Sequence, residues 1–247
     1  MPDLSEVISF CSRKGFINQS SEIYGGLSGC YDYGPNGSQL KRRIENIWWS
    51  ENVENSDNIV GFDSSILMRN EAWEASGHVS GFHDPMVDCR KCKSRYRADQ
   101  VDVNENCPDC GEKDWTDIRQ FNLMLSTKIG AMEDSSKKVY LRPETAQGIF
   151  VNAINVARNS RLTVPFGIAQ IGKSFRNEIT PRNFLFRVRE FTQMELEFFC
   201  HPDEASGFFE DWCSKRMSFY KDSLGIDSNN LHFRDHENDE LAHYAVS

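Results

Sequence analysis

The sequence predicts an α+β fold: an antiparallel sheet flanked by helices, with a small cysteine-built ribbon inserted into it. Three observations carry that prediction. Two stretches of apolar–polar alternation, Ala169 to Glu178 and Arg187 to Phe199, face each other across a short loop. Segments with helical spacing lie before and after them, at residues 38–53, from Thr145 onward and at 202–224. Between the first and second of these helices stand two Cys-x-x-Cys pairs. Neither GxxxxGK[ST] nor GxGxxG occurs, so a P-loop or Rossmann phosphate turn is unsupported.

Composition bounds the class. The 247 residues are 39% hydrophobic and 26% charged, ordinary for a globular chain able to bury a core. No apolar run approaches the roughly 18 residues of a membrane span, and MPDLSEVISFCSRKGF lacks a signal-peptide layout, so a cytoplasmic protein without membrane partners is expected. The net charge of −9 argues against a generally basic nucleic-acid coat while leaving room for a local patch. Residues 203–240 are acidic, whereas Arg90, Lys91, Lys93, Arg95 and Arg97 cluster. Eight cysteines without an export signal point to metal or free thiols before disulfides.

Taken in order, residues 4–16 read as a short helix, with Leu4, Val7, Ile8 and Cys11 at helical spacing. Tyr24 to Gly37 is glycine-rich and aromatic, a loop or bulged strand whose glycines serve backbone geometry or ligand approach. Residues 38–53 form a helix with Leu40, Ile44, Ile47 and Trp48 on one face and Ser38 as N-cap. Ile59 to Leu67 then reads as one strand. Cys89-Arg-Lys-Cys92 and Cys107-Pro-Asp-Cys110-Gly111, separated by fourteen residues, present four thiolates from two tight knuckles, a spacing that suits one tetrahedral Zn²⁺. Four thiolates leave no open coordination position, so a structural staple is expected; redox-active thiols and a metal-free ribbon are the competing readings. The basic residues around the first knuckle either brush RNA phosphate or face solvent. Cys11, Cys30, Cys200 and Cys213 lack ligand spacing and are expected as buried thiols.

Trp115 to Leu125 returns to the main domain as strand or loop. Pro143 removes a backbone donor, and a helix starts from Thr145 with Ile149, Ala153, Ile154 and Ala157 inward. Glu144 therefore stands at a strand-to-helix junction near the positive end of a helix dipole, where an acid needs no ligand to be favourable. Residues 202–224 form a last helix carrying Phe208, Phe209, Trp212, Met217 and Phe219.

The hairpin bears the chemistry. Its apolar row is Ala169, Ile171 and Phe175 on one strand, and Val188, Met194, Leu196 and Phe198 on the other. The opposite row holds Gln170, Ser174, Arg176 and Glu178, then Arg187, Arg189, Phe191, Gln193, Glu195 and Glu197. Pro181 and Asn183 suit the loop between. A solvated outer face is the competing reading, but both strands converge charges of both signs on one surface. Planar, permanently charged guanidinium groups suit polyphosphate oxygens, a flat ring gives a base a stacking platform, and carboxylates hold an ammonium. Together they describe a nucleoside triphosphate site beside an amine-bearing substrate.

The order Arg176-Asn177-Glu178, a loop, then Arg187-x-x-x-Phe191-x-x-x-Glu195 resembles motif 2 of the class II aminoacyl-tRNA synthetases. Leu141-Arg-Pro-Glu-Thr-Ala-Gln-Gly148, with FRNE and RVREFTQ, resembles the homodimeric glycyl-tRNA synthetases, and the likeness covers nearly the whole chain. It implies that Arg176 binds the ATP α-phosphate and the glycine carboxylate, that Glu178 accepts from the adenine amino group, and that Arg187 reaches the γ-phosphate. Phe191 would stack on adenine, Glu195 would join Glu144 at the substrate ammonium, and Arg182 would meet the acceptor end of tRNA. ATP with Mg²⁺, glycine and tRNA(Gly) follow as implied partners, and catalysis would rest on Arg176 and Arg187. The helix and strand at 38–67 would be motif 1, a homodimer interface; a core helix and strand with no such role is the alternative. Residues 1–86 and 119–247 would be two parts of a catalytic domain, with the zinc ribbon at 87–118 between them. The family's motif 3 and anticodon-binding domain have no counterpart here, so the sheet is expected to be incomplete and these residues alone to form little glycyl-adenylate. Two rivals remain: a class II synthetase for another small amino acid, and a non-catalytic synthetase-like module that binds RNA or a partner.

Overall fold

The computed structural model describes residues 3–130, 138–179, 181 and 184–237. Helix α1 (Leu4–Arg13) starts on a capping box in which Asp3 and Glu6 satisfy each other's backbone donors, and it buries none of its residues. Strands β1 (Ile17–Gln19) and β2 (Tyr31–Tyr33) pair antiparallel, so the glycine-rich stretch is part turn and part strand. Helix α2 (Pro35–Trp49) starts earlier than the predicted Ser38 cap. Gly34 is the N-cap and Pro35, which needs no donor there, opens the first turn, while the Ser38 hydroxyl donates to the Pro35 carbonyl at 3.1 Å. Gly37 is required at this crossing: a Cβ would lie 1.9 Å from the Phe16 carbonyl oxygen. The helix ends in a widened turn, Ser50–Glu54, where Asn55 N reaches Ser50 O at 3.0 Å.

The predicted strand at 59–67 is two strands in different sheets, β3 (Ile59–Gly61) and β4 (Leu67–Met68). Its middle is diverted because the Ser64 carbonyl accepts from the buried Arg142 guanidinium at 2.8 Å instead of from a neighbouring strand. Two short helices follow, α3 (Asn70–Ala75) and α4 (His78–Gly81). Next come β5 (His83–Asp88), β6 (Arg95–Arg97) and β7 (Arg119–Asn122), a three-stranded antiparallel sheet with β5 at its centre. Strands β8 (Ser126–Lys128) and β9 (Lys138–Leu141) complete a sheet with β4, and β9 leads into helix α5 (Ala146–Ser160).

The hairpin is β10 (Phe166–Phe175) and β11 (Glu190–Phe199), paired antiparallel from Phe166↔Phe199 to Phe175↔Glu190. Strand β3 joins β10 in parallel, Gly167 opposite Ile59, so this sheet is mixed where the sequence predicts an antiparallel one. Residues 176–178 and 187–189 lie beyond the ladder, although Arg176 N still donates to Arg189 O at 2.9 Å. Helix α6 (Ala205–Ser218) follows.

Two cores hold the sheet. Ala169, Ile171, Met194, Leu196 and Phe198 pack on Trp48, Trp212 and Phe219, which matches the predicted apolar row apart from Phe175 and Val188. On the reverse face Phe166, Ile168 and Phe199 meet Ile149 and Ala153 of α5. Ile154, predicted inward, is 74% exposed, because positions 149, 153 and 157 face the sheet at i, i+4 spacing and turn 154 outward. Phe209 is exposed as well, while Phe208 and Trp212 stack against Phe198. Cys11, Cys30, Cys200 and Cys213 are half-buried, not buried. Among the described residues no helix is long and apolar enough to cross a membrane. Because Ile168 is fully buried, Ile168→Ala should lower the unfolding free energy by about 2–5 kcal/mol in urea titrations; a loss under about 1 kcal/mol would contradict this packing.

Candidate active site

A buried arginine builds the site's floor. Arg142 has no room for water, so its guanidinium needs protein acceptors: Nε donates to Lys173 O at 2.7 Å and NH1 to Ser64 O at 2.8 Å. Burial pulls its pKa down, against the opposing pull of Asp63 and Glu195. Gly172 makes the approach possible, since a Cβ there would fall 2.2 Å from Arg142 NH2. With Phe175 N donating to Arg142 O at 2.9 Å, the Arg142–Thr145 turn is pinned across the hairpin.

That turn sets two carboxylates together. Thr145, fully buried at the N-cap of α5, donates its N–H to Glu195 Oε2 at 3.1 Å and its hydroxyl to the same oxygen. Glu195 thus approaches the positive end of α5 from β11. Its pKa is nonetheless raised, because burial outweighs the Thr145 bonds and Glu144 adds like charge. Glu144 accepts from Gln147 Nε2 at 3.0 Å and faces His78 Nε2 at 3.4 Å. His78 is fixed by Ser76 Oγ at 2.8 Å from Nδ1 and by the rings of Trp73 and Phe82. Glu197, two residues beyond Glu195 on the same strand, is pushed up to about 7 by burial first, then by Glu195 and Glu144. The cleft they line has a volume of ≈ 670 Å³; Ser76 and Gln147 contribute, but no lysine or arginine among the described residues does.

Arginines border this acidic cleft. Arg176 Nε donates to Pro143 O at 3.2 Å, and its guanidinium lies 5.4 Å from the Phe191 ring centre and 5.5 Å from that of Phe82. Phe191 therefore lends one face to Arg176. Arg187 is drawn the other way, with Nε on Glu178 Oε2 at 2.6 Å and NH2 3.5 Å from Asp84. Arg189 ties the hairpin to the glycine-rich loop through Glu178 O at 2.9 Å and Ser28 O at 2.6 Å. Gly29 packs against Pro181 so closely that a Cβ would sit 2.6 Å away, which answers for at least one of that loop's glycines. Arg182 lies outside the described residues.

Cys89, Cys92, Cys107 and Cys110 converge, their sulfurs all within 4.8 Å of one another. Cys89 and Cys110 are 3.6 Å apart and Cys92 and Cys107 3.7 Å. Zinc–sulfur bonds of 2.3 Å in a regular tetrahedron require edges of about 3.8 Å, so the donor set and its spacing fit Zn²⁺. The basic residues nearby are paired with acids: Lys91 with Glu112, Arg95 with Asp88, Arg97 with Asp84 and Asp99. Lys91, Arg95 and Arg97 are thereby neutralised by neighbouring carboxylates.

The tRNA synthetase class II core domain (G, H, P, S and T) matches residues 128–244. The chain is 55% identical over 243 residues to a glycine–tRNA ligase of Borrelia hermsii, covering 98% of this chain and 55% of that one. Residues 128–244 thus match a class II synthetase core, and nearly the whole chain is similar to glycine–tRNA ligases. A glycine–tRNA ligase of Treponema denticola is 52% identical over 247 residues, and this chain spans 54% of it, so the chain extends over about half the length of the curated relatives it matches. In fold, the chain is similar to a structure titled as the RNA binding domain of threonyl-tRNA synthetase from Cryptosporidium parvum Iowa II. The TM-score is 0.56 at 17% identity, over 87% of this chain and 42% of that one.

Arg142, His78, Asp84 and Glu197 were given no role by the sequence. Glu197 had a signal in its i, i+2 relation to Glu195, and Arg142 in its place within the Leu141–Gly148 string. Since both Glu195 and Glu197 hold protons more readily folded than unfolded, stability should fall as pH rises from the ordinary carboxylate range toward about 7. Denaturation at about pH 5 and about pH 7.5 should show that loss, and Glu197→Gln should shrink it; an unchanged difference would contradict the burial argument.

Proposed function

We propose that this chain supplies the motif 2 side of a site in which ATP activates glycine, in a protein that then charges tRNA(Gly). One observation carries the reading: Glu144, Glu195 and Glu197 share a cleft without a lysine or arginine, and Arg176 adjoins it through Pro143. A primary ammonium is the ligand that such a cleft lacks. The likeness to glycine–tRNA ligases supports glycine as its owner.

The reaction needs no protein nucleophile. A glycine carboxylate oxygen attacks the α-phosphorus, the bond to the bridging oxygen breaks, and pyrophosphate leaves with its electron pair. The terminal ribose hydroxyl of tRNA then takes the glycyl group and AMP departs. Positioning and charge neutralisation supply the acceleration. Arg176 is assigned to the α-phosphate and substrate carboxylate, Arg187 to the γ-phosphate, Glu178 and Phe191 to adenine, Glu144 and Glu195 to the ammonium, and Arg182 to the tRNA end. Mg²⁺ would supply further charge neutralisation at the phosphates. A pocket that distinguishes a methyl by contact alone gains only about 1–3 kcal/mol, so larger amino acids are excluded sterically.

Around the site, residues 87–118 form a zinc ribbon set between 1–86 and 119–247, its four thiolates fitting the metal as a structural staple. A homodimer through the segment at 38–67 and a cytoplasmic location complete the proposal. Glycylsulfamoyl-adenosine should raise the melting temperature more than its alanyl and seryl counterparts, and Arg176→Ala should remove the shift. Equal shifts for the three analogues would sink the assignment to glycine.

A further inference from the structure

The arginine assigned to the γ-phosphate is held from the sheet that bears the ribbon. Arg187 NH2 lies 3.5 Å from Asp84 Oδ2, while Asp84 Oδ1 meets Arg97 NH1 at 3.1 Å. Asp84 is on β5 and only 5% exposed; Arg97 is on β6 and is fixed in turn by Asp99, at 3.0 Å from Nε and 2.6 Å from NH2. Strands β5 and β6 are the arms of one hairpin, in register from Asp88↔Arg95 to Met86↔Arg97. The turn of that hairpin is the first cysteine knuckle, with Cys89 N on Ser94 O and Lys93 N on Cys89 O, both at 2.9 Å. The segment after the second knuckle pairs with the same arm, through Arg90 N to Asp114 O at 2.8 Å and Thr116 N to Asp88 O at 2.9 Å. From the far edge, Leu123 O, just past β7, accepts from Asn177 N at 2.7 Å, beside Glu178. The four-thiolate cluster and the hairpin's arginine are therefore joined by one short chain of contacts through the buried Asp84.

We propose that Asp84 is a positioning residue for Arg187, and that the four-cysteine metal site, by closing the β5–β6 hairpin, couples metal occupancy to binding of the nucleotide polyphosphate. The proposal rests on the reading of Arg187 as a polyphosphate ligand. Small metal ribbons owe much of their order to the ion, so stripping it loosens the strand that carries Asp84. A buried carboxylate between two guanidinium groups fixes the guanidinium plane, which a free arginine tail on a loop does not. Coupling of this kind is reciprocal: ATP should tighten zinc binding by the same factor by which zinc tightens ATP binding.

The test uses the 247-residue chain loaded with zinc, one ion per chain by chromogenic titration. Two quantities are read: the Arg187 Nε–H resonance by nitrogen-15 NMR without nucleotide, and the ratio of ATP to AMP affinity by calorimetry. Asp84→Asn should keep the zinc, broaden or shift that resonance, and lower the ATP preference about fivefold. Chelation of the unmodified chain should do the same, chelation of the variant should add nothing further, and Asp84→Glu should recover part of the preference. Unchanged resonance and preference in Asp84→Asn, with Arg187→Ala still lowering the preference, overturn the positioning role alone. An undiminished preference in Arg187→Ala overturns the polyphosphate reading beneath it. If Asp84→Asn fails to retain zinc, the chelation arm decides, since an unchanged Arg187 resonance after metal removal overturns the coupling.

Discussion

The antiparallel register of β10 and β11 is the constraint from which the rest of the site follows. Gln170 stands opposite Glu195 and Ile168 opposite Glu197, while Ile171 opposes Met194 and Ala169 opposes Leu196. Side chains alternate, so a slip of one residue would carry Met194, Leu196 and Phe198 to the carboxylate face and the glutamates into the core against Trp48 and Phe219. The hydrophobic contact of one face thus selects the polar arrangement of the other. At one end of the polar face, Phe166, Ile168 and Phe199 also need covering, which brings α5 down on the sheet. That docking places Thr145 on Glu195 and sets Glu144 beside it.

Gathering carboxylates in a half-buried cleft is unfavourable for the chain alone. Each loses hydration and meets like charge, which is why Glu195 and Glu197 hold their protons above the ordinary range. Thr145, Gln147 and His78 offset the cost only in part. An incoming ammonium would remove the penalty, so the same arrangement that lowers stability above neutral pH is the one expected to favour a cationic ligand. The arginines follow the complementary rule: Arg176 lies over two aromatic rings and Arg187 is paired with carboxylates.

Period-two alternation made the hairpin legible, and cysteine spacing made the four-thiolate cluster legible, because both are local patterns with one geometric solution. Features decided by distant contacts were not. The break between β3 and β4 depends on Arg142, 78 residues away from Ser64 in sequence, claiming the Ser64 carbonyl. The early start of α2 depends on Gly34 and Gly37 packing against the backbone of residues 15 and 16. Ile154 fits a helical apolar pattern, yet the angle at which α5 meets the sheet turns it to solvent. At the site, motif resemblance named Glu144, Arg176, Glu178, Arg187, Phe191 and Glu195, whereas Asp84 and His78 come from other sheets and helices and have no sequence signature linking them to the hairpin.

The central claim is that the cleft of Glu144, Glu195 and Glu197 receives an ammonium while the adjoining arginines receive phosphate. A crystal structure of this chain with glycylsulfamoyl-adenosine tests it most directly. The account predicts the ammonium within hydrogen-bonding distance of Glu144 and Glu195, the sulfamoyl group against Arg176 and adenine beside Phe191 and Glu178. An analogue bound elsewhere, or with its ammonium outside the carboxylate cleft, would contradict it.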